Sequence, residues 1–330
     1  MRRNIIIIGI SCLLLFAFPL AAKLLRTEVV NGWEKRITVI SPFSDNNYWE
    51  KICTGAIEEG ALCGMDVKCV SSADNDETKV SENLISAVYS DVDGIIVYGV
   101  DGSSDFMNGL SQAWERGIPV VLVDSNVDTE RKLCYVGTNN YESGWNAGIK
   151  MAEDCGKKGK ILVVVSSKKT NNQQERVAGF EDALQSCPEM EIVEILEGSS
   201  NMMQGQKRIE DALDRNEDVD GIFCAEGITS YAALKVMQER SDEAPRISVT
   251  VYEYGEVLAK GLENGYISTA IVQTPLQMGK MAVQVLDAYL ENGTVPEEDI
   301  FTDTKLFRKD NLEEGEDFIN WDGDVEWHYY

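Results

Sequence analysis

The sequence predicts an α/β protein made of two doubly wound parallel-sheet lobes, with an apolar helix ahead of them. Three observations carry this. Short apolar runs alternate with amphipathic stretches from Arg36 to Val272, the pattern of repeated strand–helix units around a parallel sheet. The run Asp91-Val92-Asp93-Gly94-Ile95 recurs as Asp218-Val219-Asp220-Gly221-Ile222, each copy following an amphipathic helix and opening a buried strand, so two lobes are built alike. Ahead of both, Arg2 and Arg3 precede the uncharged stretch Ile5 to Ala22.

That first stretch suits a signal peptide or a short membrane anchor with its positive end inside. Pro19 and Leu20 ahead of Ala21 and Ala22 fit a small-x-small cleavage site poorly, and the apolar run continues past Cys12, unlike a lipoprotein cysteine. An uncleaved anchor is therefore expected over a cleaved signal, and either puts the body outside the cytoplasm. Strands are expected at Ile37–Ser41, Asp66–Ser71, Gly94–Tyr98, Pro119–Asp124, Ile161–Ser166, Glu191–Leu196, Gly221–Ala225, Ile247–Tyr252 and Ile267–Val272. Helices fill the intervals, with apolar stripes such as Val80, Leu84 and Val88, or Val177, Phe180 and Leu184, or Met278, Met281, Val285 and Tyr289.

Composition excludes several functions. The chain has 330 residues, 44% of them apolar, and a formal charge of −26. Its acidic body would repel a phosphate backbone, so nucleic acid is not an expected partner. Seven of the eight cysteines lie outside the apolar stretch, with no C-x-x-C pair, and read as single buried thiols. The single histidine, His328, sits near the end, which removes zinc sites and His-dependent nucleophilic catalysis. No cofactor is expected.

In a doubly wound lobe, ligands meet the loops beyond the carboxyl ends of the strands, and two facing lobes place both sets of loops around one cleft. Those loops hold Asp45 to Trp49, Asp74 to Asp76, Gly99 to Asp101, Asp124 to Asn126, Lys168 to Gln174, Glu226 to Thr229, and Glu253 with Tyr254; Gln273 ends the last strand of the second half. Aromatic planes cover the C–H face of a sugar ring while carboxylates and amides bond its hydroxyls, so the mixture suits a polyhydroxylated ligand. Tyr48 is expected to face the ligand. Trp49 either does so too or starts the apolar stripe Trp49–Ile52–Cys53–Ala56, and Asn46 or Asn47 caps the helix or bonds the ligand.

Read in order, the motifs resemble those of type I periplasmic solute-binding proteins, the branch of ribose-binding protein and other sugar receptors of ABC transporters. "ITVISPFSDNNYWEKICTGA" resembles that family's first strand and aromatic ligand loop, "VDGIIVYG" the strand before its second ligand loop, and "GIPVVLVDSN" the strand ending in a ligand-binding Asp, here Asp124. "VGTNNYESGWNAG" resembles the first crossover, "QQERVAGFEDAL" the R-x-x-G-F helix start, and "GIFCAEG" a strand bearing a polar contact at Glu226. "VTVYEYGE" resembles the strand ending in an acidic contact at Glu253, "GYISTAIVQTP" the crossover with Gln273, and "DTKLFRKDNLEE" the closing strand. The resemblance implies a periplasmic-binding-protein-like fold with a three-segment hinge near Gly137–Asn140, Gln273–Pro275 and Asp303–Lys305.

It also implies ligand contacts from Asn47, Tyr48, Trp49, Asp124, Gln174, Glu226, Glu253 and Gln273. The departures matter: Ser125 and Gln174 stand where arginines are expected, and asparagines are expected near Glu226 and near Gly99, while Arg176 matches the motif's structural arginine and is expected to hold its loop. A pocket poor in cations and rich in acceptors would suit an aminosugar or polyol as well as a plain sugar. The partners implied are that small molecule and an ABC permease or a membrane sensor, with the chain a monomer. A lac-type repressor shares this fold but needs a helix-turn-helix head where this chain has its apolar stretch. An enzyme using Asp124, Glu226 and Glu253 is the remaining alternative. The expected divisions are residues 1–32 (signal or anchor), 33–137 with 274–302 (first lobe), 138–273 with 303–317 (second lobe) and 318–330 (an extension). In that extension Asp322-Gly323 signals a hairpin, and Asp322, Asp324 and Glu326 only partly match a calcium loop.

Overall fold

The computed structural model describes residues 35–43, 47–72, 77–199, 201–216, 218–242, 244–314 and 318. The apolar N-terminal stretch, the Asp322-Gly323 hairpin and the candidate calcium residues lie outside them. Among the described residues no helix is long and apolar enough to cross a membrane.

Two six-stranded sheets form the frame. The first contains β1 (Lys35–Ser41), β2 (Met65–Ser71), β3 (Gly94–Tyr98), β4 (Val120–Val123), β5 (Tyr135–Thr138) and β11 (Ile300–Thr302), in the order β2-β1-β3-β4-β5-β11, all parallel. The second contains β6 (Lys158–Val165), β7 (Glu189–Glu197), β8 (Val219–Cys224), β9 (Ser248–Tyr252), β10 (Thr269–Gln273) and β12 (Thr304–Phe307), in the order β7-β6-β8-β9-β10-β12. Only β12 runs antiparallel, against β10. Asp303 alone separates it from β11, and without a helix to carry the chain back to the far end of the sheet it must enter from the near end.

All nine expected strands are present within a few residues. The three the alternation did not mark as separate strands, β5, β11 and β12, have four, three and four residues. Runs that short carry too little period to read, although the closing-strand resemblance covered β12.

The central strands are buried on both faces, as β-branched runs in parallel sheets must be. Along β6, Ile161, Val163 and Val165 face one cluster while Leu162 and Val164 face another. The first cluster is closed by α4 (Asn140–Asp154) and α5 (Asn171–Leu184), where Phe180 stacks on Phe223 of β8 with ring centroids 4.3 Å apart. The second is closed by α6 (Met202–Arg215), α7 (Gly227–Glu239) and α8 (Glu256–Glu263). The first sheet shares one core with α1 (Asn47–Leu62), α2 (Glu77–Val88), α3 (Ser104–Glu115) and α9 (Pro275–Asn292).

Helix ends follow local chemistry. The Ser103 side chain accepts the Phe106 N–H at the start of α3, and Asn139 accepts from Glu142 at the start of α4. Helix α9 opens with Pro275 and closes on Gly293 at φ 76°, the left-handed conformation that glycine adopts without a Cβ penalty.

The chain passes between the sheets three times: from β5 into α4, from β10 into α9, and from β11 into β12. The repeated DVDGI run falls on corresponding strands. Asp93, before β3, accepts the backbone N–H of Arg36 at 2.7 Å, and Asp220, in β8, accepts that of Lys160 at 2.9 Å. Each carboxylate thus secures the start of the neighbouring central strand, so the echo marks the same joint in both halves.

Candidate functional site

A cleft of about 1100 Å³ lies between the two sheets, at the carboxyl ends of their strands. Its lining includes Asn47, Tyr48, Trp49, Asp124, Glu226, Glu253 and Gln273, seven of the eight residues expected there. Asp45, Asn46 and Asp74 to Asp76 lie outside the described residues.

Two carboxylates face each other from corresponding positions. Asp124 follows β4 and Glu253 follows β9; their backbone N–H groups bond Val136 of β5 and Ile271 of β10 in the same way. Both sit in the left-handed region, at φ 66° and 77°, which non-glycine residues occupy at a cost. The conformation lets the strand keep its ladder bond while the side chain leaves the sheet at its end.

Around Asp124 the first sheet supplies aromatics. The Tyr48 hydroxyl donates to Asp124 Oδ1 at 2.6 Å. Trp49 is 3% exposed and meets Tyr48 and Tyr98 edge-on, with centroids 6.1 and 5.8 Å apart. Trp49 therefore belongs to the first core, and its ring edges the cleft. Tyr135 donates from behind to the Asp124 carbonyl at 3.0 Å. Burial, outweighing the Tyr48 hydrogen bond and the charge of Arg176, raises the Asp124 pKa.

The floor is set by Arg176, which lines the cleft although only 2% exposed. Its Nε donates to Asn140 Oδ1 at 2.8 Å, Nη1 to the Ala225 carbonyl at 2.9 Å and Nη2 to Gln273 Oε1 at 2.9 Å, while the guanidinium lies 4.1 Å over the Tyr252 ring. Burial works against its charge, but Tyr252, Asp124, Tyr48 and Glu253 more than offset it, and its pKa is raised. Gln273 is the junction of the site. Its Oε1 also accepts the Thr138 hydroxyl at 2.8 Å, and its Nε2 donates to Glu253 Oε1 at 3.0 Å. It thereby links β5, α5 and the β9 loop where the chain passes between sheets.

Glu253 is strongly perturbed. Burial pushes its pKa up to about 8, Arg176 opposes this, and Asp124 and Glu226 add to it. At neutral pH it is largely a neutral acid able to donate one hydrogen bond.

One expectation needs correction, and two gain detail. Gln174 is exposed, bonds the Lys168 carbonyl at 2.7 Å and does not line the cleft. Its neighbour Gln173 takes the inward position, bonding the Ser166 N–H and hydroxyl at 2.8 Å each. Adjacent helical residues point about 100° apart, and Asn172, Gln173 and Arg176 share the buried face. Glu226 lines the cleft, but both its oxygens already cap α7, accepting from Ile228 and Thr229 at 2.9 and 2.7 Å. Arg176 is no mere loop brace, since it supplies the cation that the acceptor-rich reading left out. Asn172, inside the Lys168 to Gln174 stretch expected at the cleft but not singled out there, lines it with a buried Oδ1 that has no hydrogen-bond partner. The spacing of Asn172, Gln173 and Arg176 on one helical face was the available signal.

The model of the periplasmic binding protein domain matches residues 37–294. The chain belongs to that family. It is a solute-binding protein, not an enzyme. It is 24% identical over 290 residues to a D-apiose import binding protein of Actinobacillus succinogenes, covering 87% of this chain and 92% of that one. Among solved structures it resembles GanP, a glucose-galactose binding protein from Geobacillus stearothermophilus, at TM-score 0.80 and 27% identity over 84% of this chain and 98% of that one. A chain of the XylFII-LytSN complex matches at TM-score 0.77 and 25% identity, covering 84% and 98%.

Proposed function

We propose that this chain captures a small sugar outside the cytoplasm, by closing its two lobes around the cleft, and delivers it to an ABC permease. The observation that carries the reading is the facing pair Asp124 and Glu253, presented from corresponding positions of the two sheets into one cleft edged by Tyr48, Trp49 and Tyr98. Such a pair meets the same small molecule only if both lobes close on it. The cleft, at about 1100 Å³, exceeds by several-fold what one sugar ring fills, leaving volume for closure to remove.

The donor–acceptor balance supports a neutral ligand over a cation. Arg176 spends three of its five N–H donors on protein acceptors, Glu253 brings a proton at neutral pH, and Asn172 Oδ1 and Asp124 accept. Sugar hydroxyls both donate and accept, so they match such a set. The relatives named for D-apiose import and for glucose-galactose binding support the class without choosing the sugar.

Calorimetric titration with pentoses, hexoses and their amino derivatives tests this reading. Saturable binding of a neutral sugar is expected, weakened at least tenfold in Asp124→Asn. Binding confined to amino sugars, or to none of the panel, would overturn it. The alternative reading is presentation of the loaded protein to a membrane sensor. Neighbouring genes for a permease and ATPase favour import, and one for a sensor kinase favours presentation.

A further inference from the structure

Seven cysteines lie among the described residues, all with free thiols. Five have other company. Cys134, Cys187 and Cys224 are buried, the Cys63 thiol is pushed up to about 11 by burial and by Asp287, and Cys155 rests 3.8 Å from the Met151 sulfur. Cys53 and Cys69 are different: each thiol perturbs the ionisation of the other, from one helix and the strand that follows it.

The fold explains the meeting. Helix α1 turns at Gly64, φ 70°, straight into β2, so the two elements lie antiparallel in contact. A Cβ added at Gly60 would come within 2.3 Å of Val67, which shows how closely helix and strand pack. Counting back two helical turns from Gly60 reaches Cys53, and two strand residues beyond Val67 reaches Cys69. Both are part-buried and packed against the first lobe's core.

We propose that Cys53 and Cys69 form an intrachain disulfide when the protein resides outside the cytoplasm, a covalent staple between α1 and β2 beneath the wall of the cleft. The inference rests on that location, and not on the identity of the ligand. The exchange balances equally with either cysteine attacking first. With Cys53 taken as the attacking sulfur, its thiolate attacks one sulfur of an oxidised disulfide reagent and releases the first reagent thiol. The Cys69 thiolate then attacks Cys53 in the mixed disulfide and releases the second. The two protein thiols together lose two protons and two electrons, and one reagent disulfide becomes two thiols. Oxidising surroundings supply such disulfides.

The position has a consequence for the site. Cys53 stands one helical turn after Trp49, and Cys69 lies two residues before the end of β2, whose following segment leads to Thr78 in the cleft lining. The staple would tie together both elements that carry this wall.

The test is made on the purified full chain, reduced and then equilibrated with oxidised glutathione, and read by non-reducing peptide mapping. The expected result is one linked peptide pair joining Cys53 to Cys69, two hydrogens lighter than the reduced pair, with the other cysteines still open to alkylation. Oxidation should raise the Tm by about 5 °C in the natural chain and leave it unmoved in Cys69→Ser. Recovery of Cys53 and Cys69 as free or glutathione-capped thiols after equilibration would overturn the proposal, as would scrambled linkages. Peptide mapping of the natural chain decides this even if the variant fails to fold, and it needs no sugar, so it stands apart from the test of function.

Discussion

Glu253 makes the ligand-free protein measurably dependent on pH. Its pKa is pushed up from an ordinary 4.5 to about 8, chiefly by burial, with Arg176 opposing and Asp124 and Glu226 reinforcing. Because the folded value is the higher one, the folded state holds the proton more tightly than the unfolded state. The resulting stability is fully present below about pH 4.5 and is lost as pH rises through about 8. Between pH 6 and pH 9 the unfolded chain is already ionised at this position, so nearly all of the change comes from the folded state. The expected loss over that window is about 2.5 kcal/mol, equivalent to a fall in Tm of about 5 °C for a chain of this size. Glu253→Gln keeps the shape and the neutral charge at every pH, so its Tm should decline that much less across the window. Thermal unfolding of both proteins without ligand, at half-unit steps, is the assay. Every other group titrating in this range is common to the two and cancels in the difference. Superimposable profiles from pH 6 to pH 9 would show that Glu253 is ionised throughout, and the buried-acid argument would be wrong.

Replacing Gln273 by Ala would leave the Arg176 Nη2 and the Thr138 hydroxyl without their buried acceptor, costing about 2–4 kcal/mol in thermal unfolding and at least tenfold in sugar affinity by calorimetry. Asp93→Ala and Asp220→Ala, which remove corresponding side-chain bonds in the two lobes, should each cost about 1 kcal/mol in chemical denaturation and add in the double variant; a strongly unequal pair would contradict the matched joints. Asn172→Ala should weaken sugar binding several-fold while Gln174→Ala leaves it unchanged, as titration of the two variants will tell.

The frame of this protein is written plainly in its sequence because its central strands are β-branched runs buried on both faces, such as Ile161 to Val165. Duplication is legible too, since an aspartate that must accept a specific backbone N–H leaves the same five-residue mark twice. Short strands escape. Tyr135–Thr138 and Ile300–Thr302 owe their conformation to the neighbours they pair with, not to their own pattern. In the cleft, strand-end residues such as Asp124 and Glu253 could be placed because a strand end fixes where its next side chain goes. Helical residues could not be placed by proximity alone: Gln173 and Gln174 differ by one position and by which side of α5 they occupy. Glu226 shows a different limit. A carboxylate near a cleft and a carboxylate capping a helix look identical in sequence, and the distinction lies in two backbone N–H groups that only the fold brings within 3 Å.

Lobe closure on a sugar is the claim from which the functional reading follows, and small-angle scattering on the full chain tests it most directly. Scattering profiles would be collected without ligand and with saturating amounts of a sugar that calorimetry has shown to bind. The account predicts a smaller radius of gyration with sugar, and no such change in Glu253→Gln combined with Asp124→Asn at the same sugar concentration. An unchanged radius in the natural chain at proven saturation would contradict it.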